Sequence, residues 1–154
     1  MEFLIIKWVH ILSAILLFGM GLGSAFYKYF TDRSGNIEAI AVTNRLVVKA
    51  DWLFTSPTII IQPLTGLWML HLLNISLGTT WLWLSLLLYF IAGACWIPVV
   101  VLQIRMRDLS QQCAATRQPL GGDYQRMVRT WFWLGIPAFA AMVAVVWLMV
   151  VKSI

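Results

Sequence analysis

Asp, Glu, Lys and Arg are absent from residues 8–27, 52–103 and 131–151, and the length of each gap indicates what it forms. A helix that crosses a bilayer needs about 20 mostly apolar residues. The first and last gaps meet that length once. The middle gap meets it twice and is interrupted by the turn-like NISLGTT at 74–80, which predicts a hairpin of two spans. The pattern therefore predicts four transmembrane helices.

The polar connections carry helical signals of their own. After the turn DRSG at 32–35, Ile37, Ile40, Ala41, Val47 and Val48 recur at helical spacing, so residues 36–51 are expected to form a helix running straight into the second span. Residues 105–117 are expected to extend the third span. PLGG at 119–122 breaks that extension, and Asp123 is the expected N-cap of a lead-in to the fourth span. The expected fold is all-α: one domain over residues 1–154, a four-transmembrane-helix up-down bundle with cytoplasmic helical extensions.

Composition agrees. Of 154 residues 61% are hydrophobic and 11% charged, and mean hydropathy is +0.84, whereas a soluble domain is about 25% charged. This length leaves no room for a separate soluble catalytic domain, so any chemistry must use residues within the membrane. Lys28, Arg33, Arg45 and Lys49 lie between the first two spans, and Arg105, Arg107, Arg117, Arg126 and Arg129 lie between the last two. The other side holds Lys7 and Lys152. The positive-inside rule then predicts both loops in the cytoplasm, both termini outside, and a multi-pass protein of the cell inner membrane. The net charge of +5 is explained by this topology. No nucleic-acid module accompanies it, and no nucleic-acid partner is expected.

Several features carry less. The N-terminus lacks a basic n-region and its apolar run exceeds an h-region, so it is expected to persist as a helix and not to be a cleaved signal. Cys95 within a span and Cys113 in a cytoplasmic loop are not expected to form a disulfide. The sequon at Asn74 is a chance-level pattern. Pro57, Pro63, Pro98 and Pro137 predict kinks, with Gln62 and Thr65 adding local polarity to the second span. Trp8, Trp52, Trp81, Trp83 and Trp131 fall near span ends, where aromatic belts form; Trp68 and Trp96 are expected deeper. Asp51 is expected to pair with Lys49 or Arg45, with proton relay as the alternative role.

The chemistry concentrates in His10 and His71, the only histidines. Both fall near the outer ends of adjacent, oppositely directed spans, which predicts imidazoles at matched depth. Such a pair suits bis-histidine ligation of haem b in a dry pocket. Lys7, one turn above His10, is placed to meet a porphyrin propionate. Gly21 shares the His10 face three turns away, within the run containing Gly19 and Gly23, where small residues admit a flat ring or a second helix. The bland alternatives are a histidine hydrogen-bonded between helices, a snorkelling lysine and a helix-packing seam.

IKWVHI at 6–11, FGMG at 18–21, SPT at 56–58 and TGLW at 65–68, with IP at 136–137, resemble the HemJ family of membrane protoporphyrinogen oxidases and the related CopD-like proteins. Over its whole length, including ADWLFTSP at 50–57, QPLTGLW at 62–68, AGACWIP at 92–98 and QIRMRD at 103–108, the chain is similar to a bacterial integral-membrane family of unknown function. The HemJ resemblance implies haem b, with His10 and Lys7 at the motif positions. This chain departs from the HemJ pattern in having no Lys or His in its third span, and His71 matches no motif residue. The expected function is haem-b electron transfer or porphyrin-linked redox chemistry, with a quinone, a porphyrin or a redox protein as partner and a homo-oligomer as one assembly. The alternatives are a non-catalytic membrane subunit or scaffold, or copper handling by His10 and His71 with Met20 or Met69.

Overall fold

The computed structural model describes residues 1–151 and is all-helical over them. Its elements are α1 (Glu2–Ser34), α2 (Ile37–Ala50), a π-helical turn (Asp51–Thr55), α3 (Ser56–Leu72), α4 (Thr80–Thr116) and α5 (Gly122–Val151). Four helical stretches are long and apolar enough to cross a membrane: α1, residues 37–72 as one continuous rod, α4 and α5. Lys152, expected to close the fourth span, lies outside the described residues.

Local chemistry sets the boundaries. Gly35 ends α1 at φ 67°, a left-handed conformation that glycine adopts without a Cβ penalty. Asn36 then caps α2, its side-chain oxygen accepting from the Ala39 amide at 3.1 Å. Asn74 (φ 50°) closes α3. Its amide donates to the His71 carbonyl, and that of Ile75 to the Leu70 carbonyl, the paired bonds of a Schellman motif. Arg117 and Gln118 repeat this arrangement on Ala114 and Cys113 at the end of α4. Helix α5 starts at Gly122, so Asp123 sits in its first turn and faces Arg126 at 3.9 Å, where the sequence predicts it as the cap.

The expected run of α2 into the second span is present, with one irregularity. Pro57 has no amide proton, and its ring crowds the carbonyl four residues back, so the turn before it widens. The Ser56 amide reaches the Asp51 carbonyl in the π pattern. The Thr58 hydroxyl bonds the Phe54 and Thr55 carbonyls, at 2.9 and 2.8 Å, within the same widened stretch.

Two compact units make up the chain, one of residues 1–75 with 110–119, the other of residues 76–109 and from Leu120 onward. In the first, α1 packs along α3 and against α2 and the π turn. Lipid is as apolar as Leu, so helix association in a bilayer depends on close packing and polar contacts. Helix α1 follows this rule: its buried side chains are Ser13 and Lys28, while Leu4, Ile5, Trp8, Ile15, Leu22 and Phe26 are exposed. In the second unit, Trp131, Ala141, Val145 and Leu148 form a buried stripe on α5, and Ser85, Ala92, Val99 and Met106 one on α4. Trp133, Trp147, Phe90 and Ile97 lie exposed on the other faces of these helices, as expected of lipid-facing surfaces.

Candidate functional site

His10 meets α3 where Thr65 and Gly66 pass it. His10 Nδ1 lies 2.7 Å from Thr65 Oγ1, and a Cβ built on Gly66 would sit 3.5 Å from His10 Cε1, in ordinary contact. The Thr65 hydroxyl donates its one proton back along α3, at 2.6 Å from the Ile61 carbonyl and 3.2 Å from that of Gln62. With that proton committed, Thr65 Oγ1 accepts from the imidazole, so His10 carries its proton on Nδ1. In that tautomer Nε2 keeps a lone pair, and the ring also has a hydrogen-bond contact with the Gln62 backbone.

One turn deeper, Gln62 supports the same stretch of α1. Its Nε2 donates to the His10 carbonyl at 3.0 Å and to Ser13 Oγ at 2.8 Å, and Ser13 Oγ donates to the His10 carbonyl at 3.0 Å. The local polarity that the sequence marks at Gln62 and Thr65 thus serves to hold one histidine and its backbone.

His71 is not brought beside His10. The pairs 10 with 65 and 13 with 62 fix an antiparallel register in which His71 is level with residue 4. That is six residues, or about 9 Å, from the level of His10. It is also about 120° around α3 from Thr65, and it is exposed. The matched depth expected from sequence fails because α1 begins at Glu2, placing His10 about two turns inside, whereas His71 is the next-to-last residue of α3. Trp68, expected deep, is instead exposed and donates to Glu2 Oε1 at 3.1 Å.

The remaining predicted positions are on α1. Lys7 is exposed and has no bonded partner among the described residues. Gly21 is exposed, and a Cβ at Gly19, Gly21 or Gly23 would meet nothing within 4 Å, so these glycines border open space. Met20 and Met69 are half-buried. No group of three or more His, Cys, Asp or Glu side chains is gathered among the described residues.

Sequence reading missed a second polar cluster. Lys28, counted there as an interfacial cation, is 0% exposed. Its Nζ bonds Asp32 Oδ2 at 2.8 Å and Asn44 Oδ1 at 2.7 Å, and Asn44 Nδ2 donates to Ser110 Oγ at 3.0 Å. This chain of bonds ties together α1, α2 and the far end of α4. The i,i+4 spacing of Lys28 and Asp32 was the available signal. The expected pairing of Asp51 with Lys49 or Arg45 is not made: Asp51 is buried and accepts from Thr55 Oγ1 at 2.9 Å, while both cations are exposed and have no partner among the described residues. Residues two apart on a helix point about 200° apart, which sets Lys49 and Asp51 on opposite sides.

Residues 4–153 match a family described as Predicted integral membrane protein (DUF2269). No curated protein and no solved structure matches the sequence.

Proposed function

The chain belongs to the DUF2269 family of predicted integral membrane proteins, and we propose that it binds haem b through His10 and carries electrons in the inner membrane, its basic loops in the cytoplasm. The observation that carries this reading is the 2.7 Å contact of His10 Nδ1 with Thr65 Oγ1, whose own proton has the Ile61 carbonyl at 2.6 Å, an arrangement that favours the tautomer with the lone pair on Nε2 of the half-buried ring. Metal-bound histidines commonly donate their second ring N–H to a neighbouring acceptor, which fixes the tautomer and the ring orientation, and Thr65 supplies that acceptor here. Donor chemistry and polarity therefore fit His10 as a residue that would hold the haem iron.

When bound, haem b supplies one-electron chemistry at a potential set by its ligands and surroundings. The chain's own residues divide the remaining work. Thr65 orients the imidazole, and Gln62 and Ser13 hold the His10 backbone. Lys7 would be the cation for a propionate. The electron donor is a quinol, a porphyrinogen or a partner protein, in keeping with the HemJ-like motifs. His71 has no place in the site.

The test is haem content of the purified protein by pyridine haemochrome after expression with ample haem. About one haem per chain is expected for wild type and for His71→Ala, and none for His10→Ala. Equal loss in both variants would restore His71 as a ligand, and haem-free wild type would remove the proposal. A second reading has one observation in its favour: the open face at Gly19, Gly21 and Gly23 suits close approach of another helix, as in a membrane subunit that holds a partner.

A further inference from the structure

Glu38, Val42, Arg45, Lys49 and Trp52 are all exposed and follow one another at spacings of four, three, four and three residues. That spacing keeps them on a single face of the continuous helix formed by α2 and the π turn. The opposite face holds Ile40, Ala41, Asn44, Val47, Val48 and Asp51, all buried. Read toward the apolar span, the exposed stripe goes from an acid through two cations to an interfacial tryptophan. Its flanks are apolar as well: Leu46 is 55% exposed and Leu53 57%. A face turned only to water has no use for them, whereas a face at the headgroup level of a bilayer places them against acyl chains.

We propose that Arg45 and Lys49 form a binding site for the phosphate of an anionic glycerophospholipid, with Trp52 seated at the headgroup boundary. Both cations lack an ion-pair partner among the described residues, so their charge is available to a ligand. They are one turn apart, and helical side chains lean toward the N-terminus, which carries both heads away from Trp52 toward the aqueous side. Lys49 stands about 4.5 Å and Arg45 about 10 Å from Trp52 along the axis, within the depth of a headgroup layer. Arg supplies a planar fork for phosphate oxygens and Lys a compact charge. Glu38 lies two turns beyond Arg45, far enough to leave the site its positive sign.

The experiment is native mass spectrometry of the full-length protein in detergent, titrated separately with phosphatidylglycerol, phosphatidylcholine and inorganic phosphate. Wild type is expected to retain phosphatidylglycerol in preference to phosphatidylcholine. Arg45→Gln and Lys49→Gln should each weaken phosphatidylglycerol retention roughly fivefold, and Glu38→Gln should not weaken it. Equal retention of phosphatidylglycerol by wild type and the double glutamine variant would overturn the site. Displacement of the lipid by millimolar inorganic phosphate would overturn the lipid assignment in favour of a free anion. Both substitutions are at exposed positions, and unchanged far-ultraviolet circular dichroism checks that each variant folds.

Discussion

Replacing Lys28 by Met should destabilise the protein by about 4 kcal/mol, far beyond the usual effect of changing a charge in a loop between spans. Lys28 is fully buried and Asp32 is 8% exposed at its side chain. The ammonium bonds a carboxylate at 2.8 Å and an amide oxygen at 2.7 Å. Hydrogen bonds involving a charged group contribute about 1.5–3 kcal/mol each, and removing one partner of a buried pair costs about 3–5 kcal/mol because the other charge is left behind. The two routes agree. Asp32→Asn should cost less, about 2–3 kcal/mol, since an amide oxygen can still accept from Lys28. Lys28→Met with Asp32→Asn removes both charges and should fall at least 2 kcal/mol short of the sum of the single changes. Reversible unfolding in mixed micelles of dodecyl maltoside and sodium dodecyl sulfate, followed by circular dichroism, measures all three. A cost below about 1 kcal/mol for Lys28→Met, or additive single changes, would mean that Lys28 and Asp32 do not form a coupled buried pair.

Gln62→Leu removes the amide that bonds the His10 carbonyl and Ser13 Oγ; it should cost about 1 kcal/mol in the same assay, since Ser13 keeps its own bond to that carbonyl. No measurable loss would mean that this contact contributes nothing to the seam. Asn36→Ala deletes the cap of α2 and should cost about 1 kcal/mol, whereas Asn36→Asp should be nearly neutral. Equal losses in these two variants would point away from capping.

The four apolar stretches and the run of α2 into the second span are legible in the sequence because charge gaps and helical periodicity are local properties. The turn at Asn74 and the break after Arg117 are legible for the same reason. Depth is not. Reading the first span from Trp8 sets His10 near the surface, but Glu2 and Lys7 lie on a helix that begins six residues earlier, and this shift separates His10 from His71. Lys28 and Asp51 show a related gap. Their charges suggest water, yet which side of a helix faces its neighbour depends on tertiary packing, and both side chains face inward. Thr65 carried a hint of polarity, while its role in fixing the His10 tautomer emerges only once α1 and α3 are side by side.

The most direct test of the central claim is the dithionite-reduced minus oxidised absorption spectrum of the purified protein. Wild type and His71→Ala are expected to show a Soret band with resolved alpha and beta bands, His10→Ala to lack them, and Thr65→Val, which loses the acceptor for Nδ1–H, to show a shifted midpoint potential. A haem spectrum that survives His10→Ala unchanged would contradict that claim.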